Sequence, residues 1–363
     1  MCFQLPEYKA PNFDREPFIL SPDADTKPAP RDGVAPENYH ATSIYPEYFK
    51  ITGKWTLAEN SRMDCVAVVG QNGKVAIKEF RKLKRNDKVV IGRSEDGSEG
   101  IYVHENGFGE KSELKEKFAF RTTDSRETSK AWDYDRLYDL LKYEKKNGFV
   151  VWVLGPTVSF DKDARDSMVG LIKKGYVNAV LAGNALATHD LEATMYGTAL
   201  GQDIYLKESK TYGHYHHLDI INKVNQAGSI TGLIRKRIIK EGIIHACIKK
   251  GIPVVLAGSI RDDGPLPEVI TDTCKAQDAM RKYTSRATTV VSLATQLHSI
   301  AVGNMTPTYQ VVDNRVRPVF YYTVDMSEFV LNKLKDRGSL EVTTIATNVH
   351  DFLFILKQGL LEN

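Results

Sequence analysis

The twelve residues 256–267, Leu-Ala-Gly-Ser-Ile-Arg-Asp-Asp-Gly-Pro-Leu-Pro, hold the densest chemistry in the chain. An apolar run over 252–256 leads into them and reads as a buried strand. Small residues follow, which let a backbone approach a ligand closely. Then come Arg261, Asp262 and Asp263, one cation beside two carboxylates, before Gly264 and Pro265 turn the chain. Alone, this is a strand followed by a polar turn. Four other places repeat the pattern of apolar run, small residues, then polar groups, and that repetition points to a site. They are Gly155-Pro156-Thr157, Gly183-Asn184-Ala185, Thr295-Gln296-Leu297-His298 and Asp325.

These stretches need elements to hold them. Apolar runs at 149–154, 177–181, 252–256, 288–293 and 319–324 read as strands, the last being the final strand expected. Helical periodicity occupies 133–146, 164–174, 230–241, 243–250 and 273–283. Asp133 is a plausible cap for the first helix, and Gly148 and Gly175 read as stops. Strands alternating with helices predict an α/β fold with a doubly wound, mostly parallel Rossmann-like sheet. Ligands of such sheets sit at the carboxyl ends of the strands, where all five stretches fall. Before this domain, 41–130 reads as a small β-rich domain with an Asn72-Gly73 hairpin turn. Residues 1–40 are rich in proline and read as a weakly ordered, extended arm. The larger domain then covers 131–363.

Composition narrows the classes. The chain has 363 residues and a formal charge of +3. So small a charge gives no warrant for a nucleic acid or an acidic membrane as partner. The basic run 81–85 lacks aromatic partners for bases and reads as a solvated loop. No apolar run approaches the roughly 20 residues of a membrane helix. Cys2, Cys65, Cys247 and Cys274 are scattered without metal-type spacing, as expected of reduced thiols in a cytoplasmic protein. No metal is expected, since His214, His216 and His217 have no carboxylate or cysteine at ligand spacing. No Gly-x-Gly-x-x-Gly follows a strand, so the usual dinucleotide fingerprint is absent.

Longer motifs carry a resemblance. They are Gly175-Tyr176-Val177, residues 181–187 (LAGNALA) with His189-Asp190, residues 255–267, and Leu293-Ala294-Thr295 with residues 297–304 (LHSIAVGN). With Met63-Asp64-Cys65, they resemble the archaeal-type NAD-dependent ornithine cyclodeaminases. That family is also described as the conserved region of lysine-oxoglutarate reductase/saccharopine dehydrogenase bifunctional enzymes. It forms the C-terminal part of arginine dihydrolase/ornithine cyclodeaminase fusions. The resemblance implies a deoxyhypusine-synthase-like NAD domain, a cytoplasmic homo-oligomer (dimer or tetramer), and conversion of L-ornithine to proline with release of ammonia. It places NAD against Gly155, Pro156, Thr157, Gly183, Asn184, Ala185, Gly258, Ser259, Asp263, Thr295, Gln296, Leu297, His298, Asp325 and Asn348. Candidates for the base are Asp262, Glu127, Asp190 and His217, and Arg126 and Arg261 are candidates for the substrate carboxylate.

The chain departs from the family at several of these places. Met326-Ser327-Glu328 stand where Ile-Asn-Pro is expected, Asn348 where an aspartate is, Gln296 where a methionine is, and Arg126 where a small residue is. The cofactor side is retained and the substrate side altered. Two other functions therefore stand beside ornithine cyclodeamination: NAD-dependent oxidation or cyclodeamination of a different amino acid, and a catalytically silent NAD-binding protein.

Overall fold

The structure is a computed structural model describing residues 3–109, 131–327, 331–333 and 339–362. The first unit holds β1 (Thr26–Pro28), β2 (Glu47–Ile51), β3 (Lys54–Leu57), β4 (Val66–Val69), β5 (Val75–Lys78), β6 (Lys88–Val90) and β7 (Ile101–Val103). They form two antiparallel sheets, β1-β6-β4-β5 and β3-β2-β7. Strand periodicity explains the packing. Ala67 of β4 turns to a core with Phe49, Val90 and Ile101, and Val66 and Val68 turn to another with Leu83 and Val89.

The first forty residues correct the expectation of weak order. Strand β1 pairs with β6, Phe13 stacks on Trp55 at 4.7 Å, and Lys50 Nζ donates to the carbonyl of Ser21 at 2.7 Å. Aromatic contacts hold this arm, and they need no sequence period. The basic run is exposed at Arg81, Lys82, Lys84 and Arg85, as expected, but it is anchored. Leu83 is buried, and Arg81 and Lys82 reach Asp278 at 2.7 and 2.6 Å.

The second unit begins with α1 (Ala131–Asn147), β8 (Val150–Leu154), a 3-10 turn (Pro156–Ser159), α2 (Lys162–Lys174), β9 (Ala179–Gly183) and α3 (Asn184–Tyr196). A small hairpin, β10 (Thr198–Ala199) and β11 (Gln202–Asp203), precedes α4 (His216–Ala227), α5 (Ile230–Arg235) and α6 (Ile243–Lys250). Then follow β12 (Val254–Ala257), α7 (Thr273–Thr284), β13 (Thr289–Leu293) and α8 (Gln296–Met305). A second hairpin, β14 (Tyr309–Val312) and β15 (Arg315–Pro318), leads to β16 (Phe320–Asp325), β17 (Glu341–Ala346) and α9 (Val349–Leu361).

Among the described residues the main sheet has the order β12-β9-β8-β13-β16-β17, and every pairing is parallel. Alternate side chains of β8 explain the double winding. Trp152 and Leu154 enter a core with Leu140, Met168 and Phe352, and Val151 and Val153 enter another with Met280 and Val302. Helix α2 shows the local rules plainly. Asp161 accepts from the Ala164 N–H, Met168, Leu171 and Ile172 are buried, and Gly175 ends the helix at φ 85°.

Two boundaries and the final strand differ from expectation. Asp133 lies inside the first turn of α1 and does not precede it. Helix α5 stops at Arg235, and the chain turns at Arg237, whose φ is 58°. The last strand is β17, which the sequence reading does not contain.

The Asp278 contacts join the two units and carry a pH prediction. Hydrogen bonds from Arg81, and then from Lys82, outweigh desolvation and hold the Asp278 carboxyl down at about 2, below its ordinary 3.8. The contribution is therefore complete above pH ~4 and lost as the pH falls toward ~2. Asp278→Asn should lower the melting temperature modestly at neutral pH, leave it almost unchanged near pH ~2, and so flatten the acid side of the profile over that window.

Candidate functional site at the carboxyl edge of the sheet

From β8 the chain moves outward through β9 to β12, then crosses back to β13 and continues outward through β16 to β17. Numbered within this domain, the order is 3-2-1-4-5-6, that of dinucleotide-binding sheets, and the switch point lies between the ends of β8 and β13. The backbones approach closely there. The Gly155 N–H donates to the Leu293 carbonyl at 2.8 Å, and a Cβ at Gly155 would stand 1.9 Å from the Ala294 oxygen. Ala294 itself turns the chain with φ 47°. At the end of β9, a Cβ on Gly183 would stand 2.9 Å from the His298 ring.

Helix N-termini around this point differ in a telling way. Helices α2, α7 and α9 have their first amides capped by the side chains of Asp161, Asp272 and Asn348. Helices α3 and α8 follow the two strands flanking β8, and neither has a side-chain cap. Their free N–H groups and positive dipole ends suit an anionic group at the crevice.

The remaining candidates line this edge. Asn184 Oδ1 accepts from the Leu266 N–H at 3.0 Å and so pins the 258–267 loop. Asp262 accepts from the Ser259 N–H at 2.8 Å. Burial pushes His298 below its ordinary value, against the opposing pull of the Asp262 charge, and so favours a neutral ring. Thr295 Oγ1 lies 3.3 Å from its Nδ1. Asp325 ends β16 and uses Oδ1 to accept from the Ser327 N–H at 2.8 Å. His350 Nε2 donates to the Thr157 carbonyl at 3.0 Å, and Asn348 accepts from the His350 N–H at 2.9 Å. An amide suits position 348 as a helix cap. Arg261, Asp263, Gln296 and Leu297 are exposed on the rim, as are Ile260 and Met326.

Asp190 is placed elsewhere. It is fully buried, accepts from the Ile243 and Ile244 N–H groups at 3.0 and 2.9 Å, and pairs with Arg165 at 2.7 Å. Its job here is to cap α6 and to neutralise a buried arginine. His217 lies on α4 beside His189, with ring centroids 6.5 Å apart. Glu127 and Arg126 lie outside the described residues. His189 and Glu192 form a further pair at i,i+3, which the spacing permits but which only tertiary partners single out. A cavity of about 1090 Å³ bordered by Tyr8, Tyr48, Lys146 and Arg315 lies at the opposite, amino edge. The uncapped ends of α3 and α8 lie at the switch-point crevice and not at this cavity.

Comparison with known proteins agrees with this fold. The family described as arginine dihydrolase ArgZ-like, C-terminal, Rossmann fold, matches residues 137–356, and its companion first region matches residues 46–130. A protein of Methanocaldococcus jannaschii named ornithine cyclodeaminase is 39% identical over 349 residues, covering 93% of this chain and 78% of that protein. One of Methanothermobacter thermautotrophicus with the same name is 36% identical over 344 residues, covering 92% and 78%. Among solved structures, a conserved LOR/SDH protein from Methanococcus maripaludis S2 superposes with a TM-score of 0.85 at 36% identity, covering 94% of this chain and 99% of that one. The ternary complex of AgrE with ornithine and NAD+ gives a TM-score of 0.58 at 34% identity, over 94% of this chain and 46% of AgrE.

Proposed function

Since the chain belongs to the ArgZ-like C-terminal family, in which archaeal ornithine cyclodeaminases match it along most of their length, we propose that it is an NAD-dependent ornithine cyclodeaminase. It converts L-ornithine, or a closely related diamino acid, to a proline-type product and ammonia. The observation that carries this reading is the 3-2-1-4-5-6 sheet with uncapped helices on both sides of its switch point.

The residues present fit NAD. The free N–H groups of α3 and α8 would hold the diphosphate, with Gly155, Pro156 and Thr157 as further backbone contacts. Asp325 would accept from ribose hydroxyls through its carboxylate. Asn184 orients the 258–267 loop over the site, so that Gly258, Ser259 and Asp263 border the cofactor. When bound, NAD+ accepts a hydride from the substrate α-carbon and returns it within the same turnover. Asp262 supplies negative charge beside the substrate amines, and Arg261 offers a fork for the carboxylate. Glu127 and Arg126 are the further candidates for the same two tasks. The δ-amine displaces ammonia within one molecule, so the site needs to hold the substrate folded and exclude water.

Purified protein with NAD+ and a panel of basic amino acids, followed by mass spectrometry for ammonia and cyclic products, tests the reading. Ammonia from ornithine, lost in Asp262→Ala, is the expected result. No ammonia from any substrate would leave only cofactor binding. Because the cofactor is regenerated in each turnover it need not leave, so NAD is expected to copurify or to raise the melting temperature by mass action. No melting shift at millimolar NAD+, with none retained, would contradict the assignment. Asp325→Ala removes a charged acceptor worth about 1.5–3 kcal/mol, so NAD affinity should weaken by roughly 10- to 150-fold. Unchanged affinity in the folded variant would place the ribose elsewhere.

Two further readings accompany this one. Free thiols at Cys65, Cys247 and Cys274 suit a reducing compartment, and we infer the cytoplasm. Exposed Leu200, Tyr205, Leu206, Tyr212, Tyr215 and Leu218 gather around the β10–β11 hairpin and the start of α4, and support a homo-oligomer. No helix among the described residues is long and apolar enough to cross a membrane.

A further inference from the structure

The reaction proposed above sets a condition on protons. L-Ornithine with both amines protonated has the same net charge as proline plus ammonium, so no proton is gained or lost overall. Yet the α-ammonium has to give up a proton before a hydride can leave its carbon, and the δ-ammonium has to give up another before its nitrogen can attack. Ammonia takes one of these up as it departs, and the proline nitrogen takes the other. A site closed to water therefore needs groups that hold protons between these steps, one of them for the α-ammonium.

Helix α3 carries such a group. Ala185, His189 and Glu192 fall at i, i+4 and i+7, on one face. Ala185 is partly exposed at the crevice, and His189 lies one turn further in with 7% exposure. His189 Nδ1 stands 2.9 Å from Glu192 Oε2. Glu192 is fully buried and also accepts from Thr198 Oγ1 at 2.9 Å and from the Leu200 and Gly201 N–H groups at 3.2 and 3.0 Å. Burial pushes its carboxyl up, but the hydrogen bonds from His189, Gly201 and Thr198 prevail and hold it below the ordinary range. An ionised carboxylate only accepts, so the His189 N–H is at Nδ1 and the lone pair is at Nε2.

The ring shares its cluster with an aromatic edge and two further imidazoles. Phe160, which follows the 3-10 turn after β8, meets the His189 ring edge-on at 5.3 Å, and the His217 ring is 6.5 Å away. His217 Nδ1 is buried with no hydrogen-bond partner among the described residues. His216 bonds Thr198 Oγ1 through Nδ1 at 2.7 Å and stacks on Tyr196. Asp161, next to Phe160, is paired with Lys207 at 2.7 Å.

We propose that His189, oriented by Glu192 and adjoined by His217, is the group that holds the substrate proton during turnover. The lone pair of Nε2 takes a proton from the substrate α-ammonium, which keeps its nitrogen pair as a neutral amine. The resulting imidazolium lies against the Glu192 carboxylate. The Nε2–H bond breaks when departing ammonia takes that proton, and the pair returns to the ring. Glu192 is a positioning residue in this scheme. The inference rests on the ornithine reading.

The test uses the full chain with saturating NAD+. His189→Asn keeps a side-chain N–H donor and loses the ring base. Its kcat for ammonia release should fall about 100-fold or more, while its melting temperature and its NAD-induced melting shift stay at wild-type values. Glu192→Gln should move the acid limb of the kcat–pH profile to lower pH, because the imidazolium loses its counter-charge. Independently of turnover, ¹H–¹⁵N correlation spectra of the cofactor-free protein should show His189 with its proton on Nδ1. Wild-type kcat with an unchanged pH profile in folded His189→Asn would overturn the proposal, and so would a proton on Nε2. If His189→Asn does not fold, His189→Gln and the tautomer decide. Wild-type protein that releases no ammonia overturns the ornithine reading and this inference with it. Normal turnover that is indifferent to His189→Asn overturns this inference alone.

Discussion

Gly155→Ala is expected to cripple cofactor binding in a protein that still folds. The added methyl would stand 1.9 Å from the Ala294 carbonyl oxygen, where no rotamer can relieve the clash because the obstacle is backbone. The ends of β8 and β13 would have to part at the switch point of the sheet. Overpacking of this kind costs about 1–3 kcal/mol, which strands of a buried parallel sheet can absorb. The crevice between those two ends is less forgiving, since its donors come from helix ends carried by the strands on either side. A loss of about 10- to 100-fold in NAD affinity, equivalent to roughly 1.4–2.8 kcal/mol, is the expected reading by calorimetry. Circular dichroism should stay native. Wild-type affinity together with wild-type melting would mean that this close approach is not part of the cofactor site.

Arg165→Ala is expected to have the largest effect on stability. Arg165 is buried, and its Nε contacts Asp190 at 2.7 Å. Burial pushes the arginine down, but the Asp190 charge and hydrogen bond overcome it and raise it above its ordinary value. Removing the cation leaves the Asp190 charge buried among two backbone N–H donors, a change that costs about 3–5 kcal/mol. Denaturant melts read the loss directly. Below the transition the variant should bind NAD with near wild-type affinity, because the pair faces α6 and the crevice does not use it. Asp190→Ala should likewise destabilise, by uncapping α6 as well as orphaning Arg165. Full activity loss in Asp190→Ala with unchanged melting would return that carboxylate to the list of catalytic bases.

The contrast between Asp190 and His189 shows where sequence reading reaches. Both stand in one motif, and the spacing alone does not say which of them turns toward the crevice. Asp190 turns toward Arg165 and the start of α6, partners 25 and more residues away in the chain. His189 turns toward Glu192 and Phe160. The parallel strands and α2 are legible because apolar runs and a 3.6-residue period mark them, with Gly175 as a stop. Strand β17 is harder. Val342 and Ile345 are mixed with Thr343 and Thr344, and the strand pairs on one side only, at the edge of the sheet. The arm is harder still, because Phe13 and Phe18 pack on Trp55 and Tyr102 with no period that a local window could register. The crevice itself is legible as five strand ends. Its defining feature, that α3 and α8 lack side-chain caps while α2, α7 and α9 have them, emerges only when caps are traced atom by atom.

The most direct test of the central claim follows the hydrogen on the substrate α-carbon. L-Ornithine deuterated at that carbon, incubated with the protein and catalytic NAD+, should yield proline that keeps the deuterium at its α-carbon. Ammonia should form in equal amount, and no reduced cofactor should accumulate. That outcome requires a hydride taken up and returned within one closed site at the switch point. Deuterium lost to solvent, or reduced cofactor accumulating in step with substrate consumed, would contradict the account and describe a simple dehydrogenase instead.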